Sequence, residues 1–265
     1  MRPEPIDNQG MGLTTAIDER FSGQLTRFER EEARQIQYSL LPAGSLVGKS
    51  FEIAFRFSPY AGVGGDFADF FELPDGQVGI YIGDVVGKGL PAALYAALVM
   101  GLLRGLHKTG AGTADSLALL NERMLVRPVT GRYATTLYAT FDPTTRRLTF
   151  SNAGMPQPLL VSEAGCMPLG EGGLPSGIFP GATYDSHSIQ LHSGDAVLFA
   201  TDGLHELRDR FDKDFSWQRL QDTWLQCHCR GAEDSLGLLF EEARQFCEGG
   251  SDQQDDITAV VLKVL

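Results

Sequence analysis

The 265-residue sequence is poor in cysteine, poor in tryptophan and short of positive charge. Its four cysteines, Cys166, Cys227, Cys229 and Cys247, make no disulfide framework in a chain of this size, so a reducing compartment is expected. Cys227-His228-Cys229 is spaced more tightly than zinc-binding pairs, and no second pair completes such a site. Lysine and arginine number 22 against 34 aspartate and glutamate, a formal net charge of −12. That balance argues against a nucleic-acid or anionic-membrane partner. The N-terminus lacks the apolar core of a signal peptide, and the most apolar stretch, Leu90 to Leu106, reads as too short to cross a bilayer; a cytoplasmic protein is expected. There is no internal repeat and no low-complexity tract.

What the chain does contain is enough apolar material, 43% of residues, for a substantial core. Residues 1 to 18 are polar and broken by Pro3, Pro5 and Gly10, and read as a disordered lead-in. Residues 19 to 42 read as an amphipathic linker or regulatory helix. Within it Phe21, Leu25, Phe28, Ala33, Ile36 and Leu40 recur at mostly three- and four-residue steps, and Pro42 ends it. Its stripe suits either packing on its own domain or a dimerising, signal-carrying role. Residues 43 to 265 form the remaining domain.

Strict alternation of Phe51, Ile53, Phe55 and Phe57 with smaller or polar residues marks a strand. A second strand, Gln77 to Gly83, follows the turn Pro74-Asp75-Gly76, and the two are expected to lie side by side as an antiparallel pair. Leu90 to Leu106 reads as a helix buried nearly all round, opened by Pro91. A helix from Ala114 to Leu125 follows. Five strands are then expected at Arg132 to Phe141, Arg147 to Ser151, Gln157 to Val161, Ser186 to Leu191 and Asp195 to Thr201, with a Gly/Pro-rich loop from Leu169 to Tyr184. Helices at Trp217 to Cys227 and Ala232 to Cys247 and a last strand, Ile257 to Val264, complete an α+β order: two sheets with helices on their outer faces.

Aspartates punctuate the strand ends. Val78, Ile80 and Ile82 share one strand face and Asp84 continues it, inside Gly83-Asp84-Val85-Val86-Gly87-Lys88-Gly89. Asp66 follows Gly64-Gly65, Asp202 lies in Ala200-Thr201-Asp202-Gly203, and Asp255-Asp256 precede Ile257. Singly, each reads as a cap or turn residue. Together they make an oxygen-rich set suited to hard cations such as Mg²⁺ or Mn²⁺.

These segments, with Ser151-Asn152-Ala153-Gly154, Thr201-Asp202-Gly203-Leu204-His205-Glu206 and Asp255-Asp256-Ile257-Thr258, resemble the ordered motifs of the SpoIIE-type serine phosphatases, the bacterial branch of the metal-dependent protein phosphatase 2C superfamily. The likeness runs from about Arg34 to Leu265. Gln35-Ile36-Gln37-Tyr38-Ser39-Leu40-Leu41-Pro42 resembles the linker that joins such domains to upstream sensors. The resemblance implies a four-layer α-β-β-α sandwich of mainly antiparallel sheets, with a two-cation site (Mn²⁺ or Mg²⁺) at one edge. Asp84 would bridge both ions, with the Val85 carbonyl on the second. Asp202 and Asp255 would hold the first ion, and Asp66 would reach the second through water. Asp256 rivals Asp255 as the ligand, and Asp69 stands further from the site. Water activated by both ions would attack phosphoserine or phosphothreonine on a regulatory protein, an anti-sigma-factor antagonist. A homodimer through the N-terminal helix is a further expectation.

The departures lie outside the ligand positions. Where eukaryotic members carry a histidine two residues after the bridging aspartate, this chain has Val86, so the proton donor is unassigned; His205 is a candidate by its nearness to Asp202. Met155 stands where the family has histidine after Asn-Ala-Gly, and Ala68 where it has an aromatic residue. Gly64-Gly65-Asp66-Phe67 has one acidic residue where the diguanylate cyclase signature needs two, and Lys88 lacks the GxxxxGK[ST] frame of a phosphate loop. The non-enzymatic alternative is a degenerate phosphatase fold serving as a binding module in a sigma-factor partner-switching circuit.

Overall fold

The structure, a computed structural model, describes residues 27–228, 230–247 and 254–265. The lead-in 1–18, the first part of the expected N-terminal helix and Cys229 lie outside the described residues. Helix α1 (Arg27–Leu40) is followed by β1 (Leu46–Val47), β2 (Phe51–Ser58), β3 (Phe67–Glu72), β4 (Val78–Val85), α2 (Gly89–Leu106) and α3 (Thr113–Leu125). Then come β5 (Ala134–Asp142), β6 (Arg147–Ala153), β7 (Leu159–Ser162), β8 (Gly165–Pro168), β9 (His187–Gln190) and β10 (Ala196–Ala200). Helices α4 (Trp217–Cys227) and α5 (Ala232–Cys247) and strand β11 (Ile257–Val264) close the chain.

The strands form two antiparallel sheets, one in the order β1-β2-β11-β10-β7-β8 and the other β3-β4-β5-β6-β9. The period of two sorts each strand between layers. On β4, Val78, Ile80 and Ile82 face the core between the sheets, where they meet Val260, Leu262 and Phe199. Tyr81 and Val85 face outward under α2 and α3. On β11, Ala259 and Val261 turn the other way, beneath Trp224 of α4 and Leu236 and Leu239 of α5. The molecule is therefore the α-β-β-α sandwich of the expected α+β class.

Three expectations are corrected. The strand Phe51–Ser58 does not pair with the strand after Pro74-Asp75-Gly76: β2 lies between β1 and β11, while β4 pairs with β3, Phe67 opposite Gly83 and Glu72 opposite Val78. The turn is a hairpin, but its first arm is Phe67-Ala-Asp-Phe-Phe-Glu, whose lack of clean alternation hid it behind the glycines. The segment between β2 and β3 is thus a crossing from one sheet to the other, and it carries Asp66. Second, α2 is not buried all round. Ala92, Ala96, Val99 and Leu103 pack on the sheet, while Leu94 (66% exposed) and Leu98 (50%) face solvent. Third, with the 3₁₀ turn that extends it, the segment Gly89–Thr109 is long and apolar enough to cross a membrane by length and composition; here its buried face covers the sheet.

The stripe on α1 also divides. Phe28 and Ile36 are exposed, whereas Gln37 is buried and Leu41, just past the helix, joins the core under α2. Arg104 of α2 ties the helix end, donating from Nη2 to the Leu40 carbonyl at 2.5 Å. The same guanidinium holds Asp69 through Nε (2.9 Å) and Nη2 (2.7 Å), and the Tyr81 hydroxyl donates to that carboxylate at 3.0 Å. Asp69 is thereby occupied within the fold.

Candidate active site

Asp84 follows Ile82 on the inner face of β4, so it emerges where the inter-sheet core opens at one edge. From the facing sheet, β10 ends at Ala200 and the chain turns through a short 3₁₀ segment, Asp202–Leu204; β11 begins at Ile257, directly after Asp255-Asp256. Thr201 N donates to the Thr258 carbonyl at 3.0 Å, which fixes these two strand ends together. The Thr201 hydroxyl then donates to Asp66 Oδ2 at 2.8 Å, joining the crossing loop to them.

Close backbone approach explains the glycines of the crossing loop. A Cβ on Gly65 would lie 2.6 Å from the Val85 carbonyl oxygen and 2.9 Å from Asp84 Oδ1, and one on Gly64 would strike the Asp256 carboxylate at 2.0 Å. Asp256 accepts from Tyr60 N at 2.8 Å and from Gly65 N at 2.7 Å, so both its oxygens hold backbone. Asp255 is only partly buried, and its Oδ2 lies 3.0 Å from Lys88 Nζ. Gln37 of α1 brackets the same loop: its Nε2 donates to the Gly64 carbonyl at 2.7 Å and its Oε1 accepts from Gly64 N at 3.1 Å. This side chain was invisible as a site residue in the sequence, where it reads as one polar position on a charged helix.

The electrostatics show that the carboxylates crowd one another. Burial pushes Asp84 up to about 8, and the charges of Asp202, Asp255 and Asp256 push the same way, against a hydrogen bond from Asp66. Asp66 is also held well above the carboxylate range by burial and by Asp84, with Thr258 and Thr201 opposing. Asp256 is raised by burial, opposed by the Tyr60 and Gly65 amides. All the aspartates expected at the site are thus gathered at one edge. Among the described residues, however, no three His, Cys, Asp or Glu side chains converge closely enough to hold an ion as they stand. Asp255 is engaged by Lys88, Asp256 by backbone amides and Asp66 by Thr201. The donor chemistry fits hard divalent cations: carboxylates raised by burial and by one another's charge are relieved by positive charge.

Beside Asp202 lies a cavity of about 490 Å³ lined by Met155, Gln157, His205 and Trp217. The His205 ring meets Trp217 edge-on at 5.4 Å, its Nδ1 is buried without a hydrogen-bond partner, and burial lowers its pKa, so the imidazole is neutral at pH 7. Met155 needs no histidine to shape its turn: Asn152 Nδ2 donates to the Met155 carbonyl at 2.9 Å and Met155 N donates back to Oδ1 at 2.8 Å. Arg132, just before β5, donates to the Val86 carbonyl, bracing the turn after Asp84.

Comparison with known proteins identifies the family and the fold. The family model described as Stage II sporulation protein E (SpoIIE) matches residues 74–265. Protein IcfG of Synechocystis is 27% identical over 278 residues, covering 94% of this chain and 44% of its own length. Phosphoserine phosphatase RsbU of Bacillus subtilis is 24% identical over 244 residues, covering 91% and 71% respectively. This chain thus spans less than half of IcfG. Among solved structures, the SiaA-PP2C domain of Pseudomonas aeruginosa superposes with a TM-score of 0.77 at 17% identity, over 97% of this chain and 99% of that one. With the family model matching well over half of the chain, this protein belongs to the SpoIIE family and has the protein phosphatase 2C fold.

Proposed function

We propose that this protein is a metal-dependent phosphatase that hydrolyses phosphoserine or phosphothreonine on a regulatory protein, an anti-sigma-factor antagonist. The observation that carries the reading is the gathering of Asp66, Asp84, Asp202 and Asp255 from two sheets and a crossing loop at one edge of the sandwich, in a chain of the SpoIIE family. The relative named phosphoserine phosphatase RsbU supports the substrate class.

In this reading Asp84 and the Val85 carbonyl, Asp202 and Asp255 would hold the cations, with Asp66 acting through water. Asp255 is the ligand of its pair and Asp256 the clamp on the crossing loop, because both Asp256 oxygens are committed to Tyr60 and Gly65 amides. Two divalent ions, Mn²⁺ or Mg²⁺, would when bound supply Lewis acidity to activate water and neutralise phosphoryl charge. The chain supplies position. Thr201 orients Asp66, Asp256 and Gln37 fix the Gly64-Gly65 backbone behind it, and Arg132 fixes the turn after Asp84. Helix α1 is the input of this reading: Phe28 and Ile36 offer a solvent-facing stripe to a second copy or an upstream sensor, while Gln37 touches the loop that carries Asp66.

Hydrolysis of para-nitrophenyl phosphate by the whole chain tests the reading. Activity should require added Mn²⁺ or Mg²⁺ and vanish with a chelator. Full activity in excess EDTA overturns the metal mechanism, and no activity under any metal favours the binding module.

A further inference from the structure

Lys88 stands in the turn between Asp84 and α2, flanked by Gly87 and Gly89, both with positive φ (103° and 68°). That backbone sends its side chain across the mouth of the site, away from its own helix. Nζ lies 3.0 Å from Asp255 Oδ2, donates to the Gln254 carbonyl and sits 5.4 Å from the Tyr60 ring centre. Three segments therefore meet on one ammonium: the Asp84 turn, the loop before β11 and the start of the crossing loop. Arg132, beside the same turn, is committed within the fold to the Val86 carbonyl. Lys88 is instead paired with a carboxylate assigned here to an ion.

We propose that Lys88 exchanges partners as the site loads: it neutralises Asp255 while the carboxylates are free of metal, yields Asp255 to the divalent ion, and then pairs with the phosphoryl oxygens of the substrate. The proposal rests on the metal-phosphatase reading above and adds to it a residue that contacts substrate. The pair is suited to exchange. Its side chains are 47% and 40% exposed, so water and salt screen the attraction, and a divalent ion outcompetes a single ammonium for the same oxygens. Released, the ammonium stays on a short glycine-flanked turn beside Asp84. It then stands at the first turn of an 18-residue helix with no acidic residue in that turn and no side-chain N-cap, an end whose dipole also favours a phosphoryl dianion.

The test uses the whole chain as wild type, Lys88→Met and Lys88→Arg. Calorimetric titration with Mn²⁺ should show Lys88→Met binding the ion about two- to fivefold more tightly, since an exposed competitor has been removed. With para-nitrophenyl phosphate at saturating Mn²⁺, the same variant should raise KM about tenfold with a smaller change in kcat, and Lys88→Arg should restore KM. An unchanged Mn²⁺ affinity overturns the exchange, and an unchanged KM overturns the substrate contact. If wild type itself neither binds Mn²⁺ nor hydrolyses the ester, it is the phosphatase reading that fails.

Discussion

The two sheets bring unlike carboxylates to the same edge. Asp66 and Asp84, on or beside the β3-β4 hairpin, are largely withdrawn from water and raised in pKa, whereas Asp202, at the end of β10, is exposed and Asp255, before β11, is half-buried and paired with Lys88. Burial and mutual charge give Asp66 and Asp84 a standing electrostatic cost. Asp66 and Asp84 are thus built into the fold, while Asp202 and Asp255 sit where water reaches them. In the proposed reading a cation would relieve the first pair and recruit the second.

The sharpest way to break this comparison is to delete one member from each side. Asp84→Ala should lower kcat at saturating Mn²⁺ by roughly a thousandfold or more, and should raise the melting temperature of the metal-free protein because a buried, repelled carboxylate is gone. Asp202→Ala should weaken Mn²⁺ binding but leave metal-free stability within about 0.5 kcal/mol, as expected of an exposed side chain. Equal effects on metal-free stability would erase the distinction.

A second pair sharpens it within one dipeptide. Asp256→Ala strips the acceptors from the Tyr60 and Gly65 amides and should cost about 2 kcal/mol in urea unfolding. Asp255→Ala should leave that midpoint nearly unchanged while weakening Mn²⁺ binding in calorimetry. The reverse pattern would exchange their roles.

The pH dependence follows from the raised groups. Asp66, Asp84 and Asp256 hold protons in the native state at pH values where the unfolded chain has released them. The native state therefore binds more protons, and metal-free stability should fall as pH rises from the ordinary carboxylate range towards about 8, where Asp84 titrates. Urea melts at pH 5.5 and 8 check the sign, and added Mn²⁺ should stabilise more at the higher pH. The smallest effect is expected at Gln37→Ala, about 1 kcal/mol of stability from the lost bracket on Gly64, with Mn²⁺ affinity reduced alongside.

The sequence made the strand-end aspartates legible because each sits at a break in periodicity: Asp84 after Val78, Ile80 and Ile82, Asp202 after the apolar run of β10, Asp255 and Asp256 before β11. Helices α4 and α5 and strand β11 were bounded by the same signals. Strand pairing was less accessible. Nothing local in Phe51–Ser58 says that its neighbour is β11, two hundred residues on, rather than the next strand in the chain. Gln37, and the clamping role of Asp256, were hidden for another reason. Their roles lie in hydrogen bonds to Gly64, Gly65 and Tyr60 backbone, and a backbone partner leaves no mark in residue type.

The central claim is that carboxylates from the two sheets together hold a pair of cations. Calorimetric titration of the metal-free whole chain with Mn²⁺, set beside Asp84→Ala, tests it most directly. The account predicts two ions per chain for the wild type, reversed by EDTA, with binding severely weakened in the variant. A wild type that takes up no ion, or an Asp84→Ala variant that binds Mn²⁺ as the wild type does, would contradict it.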